Sequence, residues 1–191
     1  MQRLGGCSRT DAHNRCLSNR EIDYILSLVA GVREAVGDEV DIAVDCHWRL
    51  NFSDARKLAG ELEEFRLMWM EDPLPPWSIQ EFKELNAATR TPIATGENLY
   101  VFEGFRPLLE IQALSVVCPD LQKAGGLNEA RRIAEFADSH NIPVAPHNIS
   151  SPIGTVASVH FAHPRQIFWR LSIMPAMFPS GIIYSLKRTG L

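Results

Sequence analysis

The chain has 191 residues, of which 46% are hydrophobic and 22% are charged, and its formal net charge is −4. This composition is typical of one globular domain and excludes collagen-like, disordered and membrane-spanning classes. The absence of a basic block also argues against nucleic acid as a partner.

Cysteine usage points to the compartment. Four cysteines in 191 residues, Cys7, Cys16, Cys46 and Cys118, are too few for a disulfide scaffold. They contain no C-x-x-C pair, which argues against structural zinc. The first residues of the chain contain no apolar signal-peptide core. We therefore expect a reduced, cytoplasmic protein that has no membrane partner.

Helices are predicted where apolar residues recur every three or four positions. The first follows an S-x-x-E capping box formed by Ser18 and Glu21 and ends before Gly37. Ser53 and Ser78 are the predicted caps of the second and third helices. Two more helices are expected over residues 102–110 and 127–139.

Five short apolar runs alternate with these helices. They cover residues 40–44, 67–70, 92–95, 114–118 and 142–145. Runs that are largely apolar, without a strict alternation of polar and apolar residues, are typical of strands covered on both faces. Their alternation with helices predicts an α/β fold built on a parallel sheet of βα units.

Each apolar run is followed by a polar, mostly ionisable residue. In chain order these residues are Asp45, Glu71, Glu97, Asp120 and His147. In a parallel barrel the carboxyl ends of the strands meet at one mouth, where active sites lie. Carboxylates gathered there repel one another unless a cation lies between them, and an all-oxygen ligand set suits Mg²⁺, with Mn²⁺ possible. One such carboxylate is usually a helix cap or a solvated turn; four in succession argue for a site.

Asp120 follows the fourth predicted strand, and His147 follows the fifth. A carboxylate bonded to an imidazole raises the histidine pKa and fixes its tautomer, so we predict that the two form a pair. Lys123 and Arg49 are weaker candidates for contact with an acid substrate. For both, a solvated surface role is an equal alternative.

Several short motifs together resemble one known family. They are Asp45-Cys46-His47, Met70-Glu71-Asp72-Pro73, Thr95-Gly96-Glu97-Asn98, Pro119-Asp120 with Lys123-Ala124-Gly125-Gly126, and Pro146-His147-Asn148. This set resembles the mandelate racemase subgroup of the enolase superfamily, over residues 18–162. The resemblance implies a modified (β/α) TIM-like barrel behind a separate capping domain. It also implies that Asp45, Glu71 and Glu97 bind Mg²⁺ and that His147 and Asp120 form the base pair, a chemistry known for the superfamily.

His47 carries the finer resemblance. Residues i and i+2 of a strand point to the same face, so we expect His47 in the mouth beside Asp45. The Asp-x-His pattern resembles acid-sugar dehydratases of the galactonate type. That resemblance implies removal of the α-proton of a sugar acid by His147, an enediolate intermediate, and loss of the β-hydroxyl with His47 as the acid. The product is a 2-keto-3-deoxy acid, and full-length relatives are expected to be homo-oligomers.

Two other functions stay open. One is a racemase or cycloisomerase of the same superfamily, and the other is an inactive fragment that retains only metal binding. The second alternative arises because the start of this sequence does not contain the capping domain and the first barrel strands that the family pattern includes. We therefore expect a partial barrel over residues 1–163 with impaired activity.

The family pattern also ends abruptly after Ala162. Residues 166–181 read QIFWRLSIMPAMFPSG. Read one base out of frame, compatible codons encode NFLALEYHAGDVPFWD, which resembles the family's last-strand segment with its electrophilic glutamate. We therefore expect a one-base frameshift near His163 and an aberrant tail over residues 164–191. The alternative is a tail that has simply diverged.

Overall fold

The structure, a computed structural model, describes residues 16–162 and the backbone of two later segments, 172–173 and 182–185. Most of the predicted tail therefore lies outside the described residues. Six α-helices, one 3-10 helix (Leu62–Phe65) and seven strands are present in the described part. The α-helices and strands are α1 (Asn19–Val36), β1 (Asp41–Asp45), α2 (Phe52–Glu61), β2 (Trp69–Glu71), α3 (Ile79–Ala88), β3 (Ile93–Thr95), α4 (Val101–Glu110), β4 (Val116–Val117), α5 (Leu127–Ser139), β5 (His147–Asn148), α6 (Pro152–Ala162), β6 (Ser172–Ile173) and β7 (Ile182–Ser185).

The strands form the parallel sheet that the sequence predicts. β1 pairs with β2, β2 with β3 and β3 with β4, all parallel. Two isolated bridges, Val117 with Val144 and Asp120 with His147, place the next segment beside β4. In the described part of the tail, β6 pairs parallel with β5, and β7 pairs antiparallel with β1. The α/β class and the partial (β/α) barrel architecture are thereby confirmed.

Helix starts agree with the sequence prediction at α1 and differ at α2. Ser18 and Glu21 form the predicted capping box. Helix α2, however, is capped by Asn51, whose side chain accepts a hydrogen bond from the Asp54 backbone N–H at 2.9 Å. The predicted cap Ser53 therefore lies within the first turn of the helix. Asn51 was missed because several residues with cap propensity stand together there.

The fifth predicted strand lies later than expected. Residues 142–145 contribute only the bridge at Val144, and β5 begins at His147. Consecutive apolar residues here indicate burial, since Val144 and Ala145 are fully buried. Burial alone does not fix the extent of a ladder.

The sheet has two differently packed faces. On the outer face Ile42, Val44, Met70, Ile93 and Val117 pack in one large cluster with the helices. On the inner face the cluster contains only residues of the strands and their flanking segments: Ala43, Met68, Trp69, Ala94, Val116, Cys118 and Ala145. Successive strand residues alternate between the two faces.

Candidate active site

The predicted site residues continue the inner face of the sheet. Asp45, Glu71, Asp120 and His147 each follow an inner-face residue by two positions; these are Ala43, Trp69, Cys118 and Ala145. The period of two therefore brings four side chains from four segments to the same edge. We call Asp45, Glu71, Asp72, Glu97 and Asp120 at this end of the sheet the acidic edge.

Glu97 reaches this edge through Gly96. Gly96 has a φ of +148°, a backbone conformation that residues other than glycine rarely adopt. A Cβ added to Gly96 would lie 2.8 Å from the Cys118 carbonyl carbon. Glycine is therefore required where the loop after β3 passes the end of β4. The turn places Glu97, three positions after Ala94, against His147 of the neighbouring segment.

His147 and Asp120 form the predicted pair. His147 Nδ1 lies 3.0 Å from Asp120 Oδ2, and both residues are buried. The other oxygen of Asp120 accepts hydrogen bonds from the backbone N–H groups of Gln122 and Lys123, at 2.9 and 3.1 Å. Because Asp120 is an acceptor, the pairing favours a proton on His147 Nδ1.

The second nitrogen of His147 contacts Glu97. Nε2 lies 2.7 Å from Glu97 Oε2, an ion-pair distance, but the contact lacks the angles of a hydrogen bond. Burial opposes a charge on His147, yet Asp120 and Glu97 outweigh it and raise the histidine pKa to about 10. Burial likewise opposes ionisation of Glu97, and contact with His147 nevertheless holds the Glu97 pKa below its usual value.

The remaining carboxylates of the edge lack such compensation. Burial, with the charges of Asp45 and Asp72, raises the pKa of Glu71 to about 8. Trp69 Nε1 donates to Glu71 Oε2 at 2.9 Å, which offsets part of this. Burial also raises the pKa of Asp45. A cation at this edge would relieve the same repulsion, and the donors are the carboxylate oxygens that Mg²⁺ prefers.

Within the residues that the structure describes, no three histidine, cysteine, aspartate or glutamate side chains are gathered closely enough to hold an ion as they stand. Contacts inside the protein account for part of this arrangement. His147 engages one oxygen of Glu97, and Trp69 engages one oxygen of Glu71. The donor set thus has the chemistry of a Mg²⁺ site, and ion binding requires these side chains to shift.

His47 lies at the acidic edge, for a different reason from the one expected. β1 ends at Asp45, and His47 follows in a left-handed turn with φ +48°, so strand periodicity does not place it. Its backbone N–H donates to Asp45 Oδ1 at 2.8 Å. Its Nδ1 lies 3.6 Å from Glu97 Oε1 and 4.0 Å from Asp45 Oδ2. The side chain is half exposed, in contrast to buried His147.

The two basic candidates differ in placement. Lys123 Nζ donates to Asn98 Oδ1 at 3.2 Å, and its charge lowers the pKa of Glu97. Arg49 is exposed, and no hydrogen bond or ion pair joins its side chain to any residue that the structure describes at this edge. The geometry therefore brings Lys123, and not Arg49, to the site.

Three polar residues of the site escaped the sequence analysis. Asp72 is buried, accepts a hydrogen bond from the Thr95 hydroxyl, and lies 3.3 Å from Asn98 Nδ2. Burial raises the pKa of Asp72 to about 7. Asp72, Thr95 and Asn98 all stand within the quoted motifs, but a pattern of one ionisable residue per strand does not single them out. The doublet Glu71-Asp72 was the signal that could have revealed the second carboxylate.

A sheet of parallel βα units that gathers a histidine–aspartate pair and an acidic edge at the carboxyl ends of its strands has the architecture of a partial (β/α) barrel, in which those ends form the mouth. The family model of enolase C-terminal domain-like proteins matches residues 10–176. The chain therefore belongs to this family of the enolase superfamily.

Individual relatives narrow the resemblance. D-xylonate dehydratase of Haloferax volcanii is 50% identical over 152 residues, which cover 80% of this chain and 37% of that protein. A mandelate racemase/muconate lactonizing enzyme-like protein from Rubrobacter xylanophilus superposes with a TM-score of 0.82 at 40% identity, over 90% of this chain and 47% of that chain. A mandelate racemase/muconate lactonizing enzyme from a Sulfitobacter species superposes with a TM-score of 0.79 at 26% identity, over 87% and 45%.

This chain thus spans less than half the length of these relatives. The likeness to acid-sugar dehydratases of the superfamily is nevertheless confirmed over the barrel segment that they share. Helices long and apolar enough to cross a membrane are absent from the described residues.

Proposed function

We propose that this chain is part of a Mg²⁺-dependent dehydratase of sugar acids, of the kind that acts on D-xylonate. The observation that carries the proposal is the buried His147–Asp120 pair beside Asp45, Glu71 and Glu97 at one edge of the sheet. The identity to a D-xylonate dehydratase supports the substrate class. Mg²⁺, bound by these three carboxylates, would stabilise the negative charge that develops on the substrate carboxylate.

His147 is the proposed base. Asp120 accepts the Nδ1 proton, which leaves Nε2 to take the α-proton of the sugar acid. His147 is held protonated as long as Nε2 faces Glu97, because that contact contributes to its raised pKa. The Glu97 contact must therefore loosen before His147 can accept a proton.

His47 is the proposed acid. Its half-exposed ring lies beside the Glu97 and Asp45 side chains, on the accessible side of the edge. It donates a proton to the β-hydroxyl as that group leaves as water. The remaining enol then rearranges to a 2-keto-3-deoxy acid. Lys123 is the proposed contact for the substrate carboxylate, and Arg49 is at most a secondary one.

The test uses two histidine variants and measures two reactions. The protein, extended to the length of its relatives, is incubated with Mg²⁺ and D-xylonate in D₂O. Exchange of the α-proton is followed by NMR and the 2-keto acid by mass spectrometry. His147→Asn should abolish both reactions, whereas His47→Asn should retain exchange and lose elimination. His160→Asn, an exposed position on α6, serves as the matched control.

Each alternative has its own outcome in this experiment. A racemase or cycloisomerase would exchange the α-proton without forming a 2-keto acid. Loss of exchange in His47→Asn alone would reverse the assignment of base and acid. For residues 1–191 as they stand we expect little or no turnover, with metal binding retained; turnover equal to that of the extended protein would contradict this expectation.

We further propose that the barrel domain ends near residue 163 and that residues 164–191 are frameshifted. The out-of-frame similarity supports this division. The family match extends to residue 176 and so includes residues 164–176 of the proposed tail, which favours the divergent-tail alternative. In the described backbone of the tail, β6 pairs with β5 and β7 pairs with β1, which the divergent-tail alternative accommodates. The nucleotide sequence of the gene tests the proposal, because an intact reading frame shared with relatives would exclude a frameshift.

A further inference from the structure

The Asn98 side chain lies between two carboxylates and one ammonium group. Its Nδ2 donates to Glu97 Oε1 at 2.8 Å and lies 3.3 Å from Asp72 Oδ2. Its Oδ1 accepts a hydrogen bond from Lys123 Nζ at 3.2 Å. Asn98 is thus the link between the acidic edge and the one lysine that reaches it among the described residues.

This environment allows a single orientation of the amide. An asparagine side chain has a donor end and an acceptor end. A flip would turn the oxygen toward the Glu97 and Asp72 carboxylates and the NH₂ group toward the Lys123 ammonium. Every one of the three contacts would then be repulsive, so the charges on both sides fix the amide and, through Oδ1, the position of Nζ.

A buried pair behind Asn98 holds one of those charges in place. Asp72 and Thr95 are 2% and 1% exposed, and the Thr95 hydroxyl donates to Asp72 Oδ1. That bond leaves Asp72 Oδ2 for the amide of Asn98. Thr95 follows Ile93 by two positions and so belongs to the outer face by strand parity, whereas Asp72 lies just after β2 in a left-handed turn with φ +45°. Thr95 therefore acts on the acidic edge through Asp72.

We propose that Asn98 is a positioning residue that orients the Lys123 ammonium at the acidic edge, with Asp72 and Thr95 fixing the amide. The function of this device, to present Lys123 to the carboxylate of a sugar acid, rests on the proposed function. The positioning itself is a property of the chain and can be measured without substrate or metal.

The experiment measures the reactivity of individual lysines in the 191-residue chain. The protein is treated briefly with an amine-acylating reagent, and the labelling rate of each lysine is read from peptides by mass spectrometry. Lys57 and Lys83, both exposed, are internal references. Asn98→Ala should raise the rate at Lys123 about fivefold relative to Lys83, the factor expected for one lost hydrogen bond. Thr95→Val should raise it about twofold, because the effect passes through Asp72.

Two further variants separate positioning from a general loss of structure. Asn98→Asp keeps an acceptor oxygen for Lys123 and should restore slow labelling at Lys123. Asn19→Ala removes the exposed Lys57–Asn19 contact of 2.7 Å, which has no buried pair behind it, and should change the Lys57 rate less than about twofold.

An unchanged rate at Lys123 in Asn98→Ala, or a rise of equal size at all three lysines, overturns the proposal. Thr95→Val without effect at Lys123 removes Asp72 and Thr95 from it. If Lys123 responds as expected while the extended protein fails to dehydrate D-xylonate, the proposed function fails and the positioning role stands.

Discussion

The outer and inner faces of the sheet are built from alternate residues of the same strands, yet one face stabilises the fold and the other carries the candidate site. The outer face packs large apolar side chains against the helices, with Phe82 and Phe105 fully buried. The inner face has few large side chains and ends in the Asp45 and Glu71 carboxylates, whose pKa values are raised by burial. The outer face is therefore the main source of folding stability, and the buried carboxylates of the acidic edge reduce that stability. This distribution is expected where a functional site is built on a rigid scaffold.

Truncating the outer core should give the largest effect. Phe82→Ala leaves a cavity under α3 and should lower the free energy of unfolding by about 4 kcal/mol. Urea unfolding followed by circular dichroism measures this. Trp77→Ala, at a side chain that is 67% exposed, is the control and should change it by less than about 0.5 kcal/mol. Equal losses would mean that the outer face is not the main source of stability.

Gly96 lies where the loop after β3 passes close to the Cys118 backbone, between the apolar sheet and the acidic edge. Gly96→Ala forces a Cβ against the Cys118 backbone at a φ of +148° and should cost about 3 kcal/mol. Gly31→Ala, on an exposed turn of α1 with open space around it, should instead gain up to about 1 kcal/mol. Thermal unfolding of both variants tests this, and a tolerated Gly96→Ala would contradict the close approach.

The acidic edge should make stability depend on pH. The folded-state pKa of Glu71 is about 8, above its ordinary 4.5, so its contribution is present below pH 4.5 and is lost as pH rises to 8. The contribution of His147 is likewise lost between its ordinary 6.5 and about 10. Unfolding free energy without Mg²⁺ should therefore fall from pH 5 to pH 9.

Glu71→Gln isolates one part of that dependence. The amide cannot ionise but can still accept from Trp69, so the variant should exceed the parent in stability by about 2 kcal/mol at pH 8.5, with a smaller gain at pH 5. Denaturation curves at both pH values give the slope. Glu81→Gln, at an exposed site on α3, should leave the slope unchanged. A slope that Glu71→Gln does not reduce would show that Glu71 is ionised at both values.

A surface cap gives the smallest effect. Ser18→Ala removes the side-chain half of the capping box at the start of α1 and should cost about 1 kcal/mol. The same substitution at Ser27, which bonds only to the Tyr24 carbonyl on the exposed side of α1, should cost less. Chemical denaturation distinguishes them, and an equal cost would assign no special role to the cap.

Local signals explain what the sequence could predict. Continuous apolar runs gave the strand order, and a period of two brought Asp45, Glu71 and His147 to one edge. Strand alternation predicts His47 at the same edge, but in the structure a left-handed turn after β1 brings it there. A histidine rarely adopts such a conformation, and no local sequence pattern predicts it. The Asp72–Thr95–Asn98 network depends on which neighbouring loops touch, and that is decided by tertiary packing.

The Glu71-Asp72 doublet bears on the fidelity of folding. A slip of β2 by one residue against its neighbours exchanges the two faces, yet an acidic side chain would still arrive at the inner edge. The same slip in β1 would bring Val44 or Cys46 to the inner edge and carry Asp45 to the face covered by helices. The burial of a carboxylate on the wrong face therefore disfavours a shifted register strongly at β1 and only weakly at β2. At β2 the discrimination depends instead on Trp69, because a slip by one residue would move its buried indole from the inner face to the close-packed face covered by helices.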